Sequence, residues 1–461
     1  MHQIRWFDTS LKLRDGVKLT SRIWVPNHKG PWPALLMRQP YGREIASTVT
    51  YLHPIWWASN GYMVIIQDVR GQGSSEGKFQ GFKQEANDTS ETHEWVRSLK
   101  ECNGKLGLYG FSYQGLTQLT GTEDSEPPDC LSPAMMGLDF KNHWSSDGGA
   151  FWWNNNISWA LQMAALKMKR ENNYSGWEDI KLSIENKSYL RTGLELIRKY
   201  DPDNFIIKWL DIIINQDVFE EVKPIPTWLN KPMLIIGGLW DPHLRGALDL
   251  YSKSKKAGGK PEIIIGNASH LNWWEGSQKI LLEFFDKNLK SKSSTHIKNK
   301  KIWNISLKKW DEINNFEEPS YFLGCKSNGT ANIETVDGSL ITNSKGSGFL
   351  TIVHDPWRPV QSGGGHLGPL PGDFDRKLID ERFDVGVFQT NPFEEDQKFS
   401  GIPLVSTSVK SDHPSFDICL ALSLVNGDEN VVNQFSTGFL RVRKAKIGEV
   451  SSYKISMHPT N

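Results

Sequence analysis

A serine within residues 110–115 (GFSYQG) has the surroundings of an enzymatic nucleophile. The strand-like run Lys105–Tyr109 precedes Ser112, and the helix-like stretch Leu116–Gly121 follows it. A nucleophilic serine of this kind lies on a sharp strand-to-helix turn that needs small residues on both sides. Gln114 stands where the usual Gly-x-Ser-x-Gly pattern has its second glycine, and that glycine comes one position later. On its own, the segment is equally compatible with an ordinary turn and a capping serine.

An aspartate and a histidine follow later strands in the order that such a serine requires. The run Leu234–Trp240 leads to Asp241, and the run Glu262–Gly266 leads to His270. One helix-like segment separates the two runs, so both side chains are expected at the same edge of a parallel sheet. His270 would accept the Ser112 proton, and Asp241 would orient the imidazole and stabilise its charged form. Taken singly, the two residues are also compatible with a turn aspartate and a surface histidine.

A tyrosine occupies the loop where an oxyanion donor is expected. In an α/β-hydrolase, the loop after a strand such as Ala34–Met37 supplies one donor, and the backbone N–H after the nucleophile supplies another. No run of glycines follows this strand. The phenolic hydroxyl of Tyr41 and the backbone N–H of Tyr113 are therefore the candidates. The alternative for Tyr41 is a turn aromatic that follows a proline.

A glycine-rich loop at residues 68–77 (DVRGQGSSEG) superficially suggests a dinucleotide site. The fingerprint for that site needs glycine at position 76, where Glu76 stands, and a helix that begins directly afterwards. We therefore predict a structural loop with a buried Asp68–Arg70 ion pair. Metal binding is not expected, because the 12 histidines are scattered and form no recognised ligand motif.

The elements that must position these residues alternate between strand and helix. Two alternating runs around Asp15-Gly16 predict a hairpin at Leu11–Leu19, and Met63–Gln67 is typical of a buried strand. Helical periodicity covers Phe82–Ser98, with its predicted solvent-exposed face formed by Asp88, Glu91 and Glu94. Strands separated by helices indicate an α/β fold with a parallel sheet.

Composition shifts divide the chain into three parts. Residues 144–228 are rich in tryptophan and helical in pattern, whereas residues 1–143 and 229–290 carry the α/β pattern. The charged segment Lys290–Lys301 predicts a domain boundary, and residues 291–461 show β-like runs between turn residues. We therefore predict an α/β-hydrolase domain, a helical cap inserted in it, and a C-terminal all-β domain of sandwich or jelly-roll type.

Charge balance, cysteine spacing and hydropathy exclude several classes of protein. The chain of 461 residues has 53 basic and 53 acidic side chains, so nucleic acid and membranes are not expected as partners. The four cysteines form no paired motif, and no apolar run approaches the length of a membrane span. The N-terminus shows no signal-peptide pattern. We expect a cytoplasmic protein without a cofactor that acts on a small molecule. The sequence leaves open whether it is a monomer or a homo-oligomer.

Taken together, these motifs resemble the X-Pro dipeptidyl peptidase/cocaine esterase family of serine hydrolases, which includes α-amino-acid ester hydrolases. The matching segments are Pro40-Tyr41, residues 68–77, residues 110–115, Trp240-Asp241 and Ser269-His270, with Asp355-Pro356, Pro359-Val360 and Gly363-Gly364 in the β-rich part. Members of this family carry Gly-x-Ser-Tyr-x-Gly, so the position of Gln114 agrees with the family pattern.

The resemblance implies roles for individual residues. Ser112 would be the nucleophile, Asp241 and His270 its partners, and the Tyr41 hydroxyl with the Tyr113 N–H the oxyanion hole. It also implies an α/β-hydrolase domain, a helical cap and a C-terminal jelly roll. We further assign Trp152, Trp153 and Trp240 to contact with the substrate.

The choice of substrate is open at this stage. Family members cleave esters, amides or bonds after proline, and a peptidase must hold a free α-amine with carboxylates. The candidate carboxylates in the predicted cap are Glu171, Glu178, Asp179, Glu185, Glu195, Asp201 and Asp203. Strands begin near the N-terminus, without the long helical domain of some X-Pro peptidases, so we favour an acyl esterase. The alternatives are an Xaa-Pro dipeptidyl peptidase, a catalytically silent binding protein, and a carbohydrate-binding role for the β-domain with aromatics along one strand face.

Overall fold

The structure is a computed structural model that divides into two compact units, Met1–Ile302 and Trp303–Asn461. It describes residues 3–44, 50–219, 222–292, 300–313, 320–325, 329–331, 336–342, 346–368, 370–427 and 431–461. Most of the predicted connector Lys290–Lys301 lies outside these residues. The proposed boundaries of the three parts stay predictions, and the two units are described separately.

A large, mostly parallel sheet forms the centre of the first unit. Its strands lie side by side in the order β1-β2-β4-β3-β5-β6-β9-β10-β11, and β7 and β8 pair separately as a small hairpin. The strands are β1 (Ile4–Lys12), β2 (Lys18–Pro26), β3 (Trp32–Gln39), β4 (Met63–Asp68), β5 (Cys102–Phe111), β6 (Cys130–Ala134), β7 (Ser146–Asp147), β8 (Ala150–Phe151), β9 (Leu234–Trp240), β10 (Glu262–Ser269) and β11 (Lys300–Asn304).

The order and direction of these strands bring four loops to one edge of the sheet. The predicted hairpin is confirmed, with Leu11 paired to Leu19, and β2 runs antiparallel to β4. From β4 across to β10, the paired strands are parallel. Every residue of β4, β6 and β9 is buried, as expected for strands covered on both faces. The carboxyl ends of β3, β5, β9 and β10 therefore meet at the same edge.

Helices connect the strands and form the predicted insertion between β6 and β9. A single turn of 3₁₀-helix covers Thr117–Leu119, and a π-helical turn covers Lys141–Ser145. The α-helices are α1 (Pro54–Ser59), α2 (Glu85–Ser98), α3 (Tyr113–Leu116), α4 (Trp153–Arg170), α5 (Tyr174–Glu185), α6 (Tyr189–Tyr200), α7 (Phe205–Asn215), α8 (Pro226–Leu229), α9 (Leu244–Lys256) and α10 (Ser277–Lys290). Within the described ranges, none of the helices has the length and apolar character needed to cross a bilayer.

Helix α4 is the central element of the insertion. Its buried side chains include Ile157, Leu161, Ala164 and Met168, which are spaced three or four residues apart and so share one face. Helix α6 packs against this face at Gly193, where an added Cβ atom would lie 2.6 Å from Cγ2 of Ile157. The absence of a side chain there lets the two helices approach closely, which holds α4 in a defined position.

The predicted ion pair between Asp68 and Arg70 is wrong. Asp68 ends β4, and the loop after it turns back so that the Ser74 N–H donates to its carboxylate at 3.1 Å. The guanidinium of Arg43 supplies the charge partner, with Nη1 2.7 Å from Oδ2 of Asp68. With the Asp68 carboxylate enclosed by these donors, Arg70 points instead to the hairpin between β1 and β2, where its Nη1 lies 2.7 Å from Oδ2 of Asp15.

Helix α2 also differs from its prediction. It begins at Glu85 rather than Phe82, and Asp88 is buried instead of lying on the solvent-exposed face. Asp88 is buried because it forms an ion pair with Arg70, whose Nη2 lies 2.7 Å from its Oδ1. Helical periodicity alone does not show that a carboxylate has a buried cationic partner from a distant loop.

The second unit is mostly strands, as predicted. Its elements are β12 (Lys309–Glu312), β13 (Phe322–Cys325), β14 (Gly329–Thr330), β15 (Gly338–Ile341), β16 (Leu350–Thr351), β17 (Phe374–Asp375), α11 (Lys377–Asp380), β18 (Phe388–Gln389), β19 (Leu404–Lys410), β20 (Phe416–Asn426), β21 (Val431–Val442) and β22 (Val450–Ser456). The longest antiparallel pairs are β20 with β21 and β19 with β22. Among the described residues of this unit, one exposed aromatic, Phe322, lies in a strand (β13), whereas Phe349, Trp357, Phe383 and Phe393 lie outside the strands, so they do not form a row on one strand face. A jelly-roll connectivity stays a prediction.

Candidate active site

Ser112 lies on a strained turn between β5 and α3. Its backbone has φ 58° and ψ −127°, a conformation that non-glycine residues rarely adopt and that is common at functional sites. Gly110 has φ +143°, and an added Cβ there would lie 2.5 Å from Cβ of Gln114. At Gly115, an added Cβ would lie 2.8 Å from the Ala134 carbonyl oxygen. The glycine at position 115 is therefore the one that the close approach of α3 to β6 requires.

Asp241 and His270 form a hydrogen-bonded pair at the ends of β9 and β10. Nδ1 of His270 lies 2.5 Å from Oδ2 of Asp241, and the backbone N–H of His243 donates to Oδ1 at 2.8 Å. Asp241 is completely buried. Burial alone would raise its pKa, but the neighbouring His270 imidazole outweighs this effect and holds the pKa of Asp241 below its ordinary value. The buried carboxylate is thus ionised, and it is oriented by donors on both oxygens.

The His270 imidazole also lies beside the serine turn. Its ring centroid is 5.2 Å from that of Phe111, the residue directly before Ser112. Among the described residues, no hydrogen bond joins Ser112 to His270. Such catalytic bonds are often long until a substrate is bound. The structure thus brings the three predicted residues to one place, with the serine and the imidazole not yet in hydrogen-bond contact.

Tyr41 is directed at the serine by the loop after β3. Its backbone N–H donates to Oε1 of Gln39 at 2.7 Å, and its hydroxyl interacts with the side chain of Ser112. Burial raises the pKa of the Tyr41 hydroxyl above its ordinary value. The phenol therefore keeps its proton and can donate it to a developing negative charge.

Tyr113 follows the nucleophile and is the first residue of α3. Its N–H has no acceptor within the helix, because the first N–H groups of any helix lack one, whereas the Ser112 N–H donates to the Ala134 carbonyl at 2.9 Å. The Tyr113 hydroxyl is anchored 2.7 Å from Oε1 of Glu85, which forms a buried ion pair with Arg38. This buried network fixes the side chain behind the turn, and sequence reasoning did not predict it.

Aromatic side chains from the insertion and from the loop before α2 pack close to these polar groups. Phe82 stacks on Tyr113 with ring centroids 4.2 Å apart, and Phe140 stacks on Phe82 with ring centroids 5.0 Å apart. Trp144 and Trp159 stack at 5.9 Å. The result is an apolar environment around Ser112, in which hydrogen bonds to charged groups are stronger than in water.

The three tryptophans assigned to substrate contact occupy different places. Trp152 is buried with its ring centroid 5.8 Å from that of His243, and Trp240 is buried with its indole N–H donating to Oδ1 of Asn267 at 2.7 Å. Trp153 donates to the Leu190 carbonyl at 2.9 Å and is 37% exposed. Its described contacts do not join it to the triad. All three assignments stay predictions.

His243 is a neighbour of the site that our sequence analysis missed. Its ring centroid lies 5.0 Å from that of His270 and 4.5 Å from that of Trp144. Its Nδ1–H donates to the His143 carbonyl at 2.5 Å, and burial lowers the pKa of His243 to about 4. The imidazole is therefore neutral at ordinary pH and adds no charge beside His270. Its position two residues after Asp241 was the available signal.

Comparisons with known proteins agree with this geometry. The model of the X-Pro dipeptidyl-peptidase family (S15 family) matches residues 15–272, and that of the X-Pro dipeptidyl-peptidase C-terminal non-catalytic domain matches residues 294–461. The chain belongs to this family. It is therefore a serine hydrolase with an α/β-hydrolase fold, as the sequence predicted. In the parts of the chain that the structure covers, no cluster of three or more potential metal ligands occurs.

The relatives of this S15 family member include both esterases and a peptidase. The chain is 24% identical to the cocaine esterase of Rhodococcus sp. (strain MB1 Bresler), over 94% of this chain and 82% of that protein. A solved α-amino acid ester hydrolase covers 100% of this chain and 87% of its own length, with a TM-score of 0.69 and 18% identity. An aminopeptidase from a marine sediment Thaumarchaeota archaeon matches with the same coverage and TM-score at 19% identity. At these identities, the structural matches establish the fold alone.

Proposed function

We propose that this protein is an acyl esterase that forms an acyl-enzyme on Ser112. The observation that carries the proposal is the meeting of three groups at one sheet edge. These groups are a serine on a strained turn, a histidine held by a buried ionised aspartate, and a protonated tyrosine whose hydroxyl contacts the serine.

Each group has a defined step in the proposed mechanism. Ser112 Oγ attacks the ester carbonyl while Nε2 of His270 accepts its proton. Asp241 keeps the proton on Nδ1 of His270, so that Nε2 is free to act as the base, and it stabilises the imidazolium that forms. The Tyr41 hydroxyl and the Tyr113 N–H donate to the oxyanion. His270 then returns the proton to the leaving alcohol, and water hydrolyses the acyl-enzyme by the same steps.

The state of the cap carboxylates supports an ester substrate over a peptide N-terminus. A peptidase of this kind needs a carboxylate available for the substrate's α-amine. Lysines already pair with five of the seven candidates, namely Glu178, Asp179, Glu185, Asp201 and Asp203. Glu171 and Glu195 are exposed. Aromatic side chains instead pack against the residues that contact or follow Ser112, with Phe82 stacked on Tyr113 and Trp144 stacked on Trp159, which suits an uncharged acyl group.

The second candidate is an Xaa-Pro dipeptidyl peptidase, the activity after which the family is named. The test is hydrolysis of a series of p-nitrophenyl esters beside Xaa-Pro-p-nitroanilides by the same preparation. We expect turnover of the esters, with kcat/KM at least tenfold above that of any anilide. The reverse order would replace the esterase proposal with the peptidase.

The role of Ser112 is tested separately from the substrate. Loss of a triad member costs about 10⁴–10⁶-fold in kcat, so Ser112→Ala should have almost no turnover and should not react with a fluorophosphonate. Ser98→Ala, at the end of α2, is the matched control and should retain both properties. If Ser112→Ala keeps more than a tenth of the wild-type rate, Ser112 is not the nucleophile. If neither wild type nor control is labelled, the protein is a silent binding protein.

A further inference from the structure

The oxyanion tyrosine has a second neighbour that the proposed mechanism does not use. Besides Ser112, the hydroxyl of Tyr41 interacts with the side chain of Trp159 in helix α4. Nε1 of Trp159 is buried, and no acceptor meets the geometric limits of a full hydrogen bond to it. A buried N–H without an acceptor is unfavourable for the folded state, so this donor is a candidate for a functional contact.

The indole is held in a fixed position by its neighbours. Its ring stacks on Trp144 at 5.9 Å, with 26° between the planes, and meets Phe205 edge-on at 5.0 Å. The ring centroid of Trp209 lies 6.1 Å from that of Trp159, with 56° between the planes. Helix α4 itself is fixed by its close contact with α6 at Gly193. The N–H next to Tyr41 is therefore preorganised rather than free to find another acceptor.

We propose that Trp159 is a positioning residue that donates its indole N–H to the Tyr41 hydroxyl oxygen during catalysis. This role rests on the proposed function, in which Tyr41 donates to the oxyanion. A donor on the phenolic oxygen occupies one of its lone pairs and leaves the phenolic proton directed towards Ser112. As that proton is drawn to the oxyanion, the phenolic oxygen gains negative charge, and the bond from Trp159 strengthens in the transition state.

A cycle of two substitutions separates this role from packing. Trp159→Phe removes the N–H and keeps an aromatic ring, and Tyr41→Phe removes the oxygen that would accept it. With Tyr41 present, Trp159→Phe should lower kcat about tenfold, as for the loss of one hydrogen bond that forms fully only in the transition state. In the Tyr41→Phe background, the same change should lower kcat less than twofold, because no acceptor remains. KM should change less than kcat in both backgrounds.

The alternatives give different results in the same experiment. If Trp159 only packs or only contacts the acyl group, the loss will be equal in both backgrounds, and the proposal is overturned. An unchanged kcat with Tyr41 present overturns it as well.

Trp177→Phe is the matched control. Trp177 is a tryptophan of α5 outside this cluster, so this variant should retain the wild-type kcat. If Trp159→Phe does not fold, benzothienylalanine at position 159 replaces the N–H with sulfur at nearly the same shape. The two proposals can fail separately. If Ser112→Ala is inactive but the cycle shows no coupling between residues 41 and 159, the esterase proposal stands and only this inference is removed.

Discussion

Replacing Asp241 with asparagine should put the catalytic imidazole into the wrong tautomer. The backbone N–H of His243 donates to Oδ1 of Asp241, so the amide oxygen of an asparagine must take that position. The opposite orientation would place the amide NH₂ against this N–H and leave a buried donor unsatisfied, at about 1–3 kcal/mol. In the favoured orientation, the amide NH₂ faces Nδ1 of His270. That nitrogen must then accept, the ring proton moves to Nε2, and Nε2 can no longer take the Ser112 proton.

The size of the loss follows from this exchange of donor and acceptor. The equivalent Asp→Asn change in a serine protease triad lowers kcat about 10⁴-fold, and we expect the same for Asp241→Asn. Four powers of ten correspond to about 5.4 kcal/mol of activation free energy. Because the neutral amide retains the shape, the bond from His243 and, with its direction reversed, the bond to His270, the melting temperature should fall little in comparison with this loss of rate.

The assay is hydrolysis of p-nitrophenyl acetate, with kcat and the melting temperature measured on the same preparation. Asp249→Asn in α9 is the matched control. It removes only an exposed ion pair with Lys253, which is worth at most a few tenths of a kcal/mol, so its kcat should match the wild type. A loss below tenfold for folded Asp241→Asn would refute the tautomer explanation and, with it, the assignment of Asp241 as the triad acid.

Two other substitutions test neighbouring groups. Tyr41→Phe should lower kcat about 10²–10³-fold with an unchanged melting temperature, because it removes one oxyanion donor; a kcat within threefold of wild type would mean that Tyr41 is not the donor. The pKa of His243 is lowered to about 4, so the unfolded chain binds this proton more readily than the folded chain, and the folded state loses stability as pH falls from about 6.5 towards 4. His243→Phe should therefore reduce the loss in urea-unfolding free energy between pH 7.5 and pH 4.5 by about 2–3 kcal/mol, and an identical loss in both proteins would contradict the buried neutral state of His243.

The meeting of Ser112, Asp241 and His270 at one place could be predicted because each of them follows a recognisable strand. A strand leads to Ser112, Asp241 and His270 in turn, and parallel strands place their carboxyl ends at one edge. The order of the residues along the chain therefore carried the three-dimensional arrangement. The α/β pattern and the β-rich second unit were visible for the same reason, since both depend on local hydrophobic periodicity.

The partners of buried polar groups could not be predicted in this way. Arg70 pairs with Asp88 rather than Asp68, and Glu85 holds the hydroxyl of Tyr113. These contacts depend on the direction in which loops leave the sheet and on how α2 packs against it. Trp159 was likewise one of many tryptophans until the packing of α4 placed it beside Tyr41. Residue type and spacing along the chain do not show which distant side chains will pair.

The insertion point of the cap affects how substrate range can change in this family. Ala134 of β6 pairs directly with Ile236 of β9, although the whole cap separates them in sequence. A different set of helices can therefore be exchanged at this point, by recombination or by design, without breaking a hydrogen bond of the sheet. Trp159 limits that freedom, because it comes from α4 and lies beside Tyr41. A grafted cap that offers a new pocket but no donor at this position should fold and bind its substrate, yet turn it over slowly.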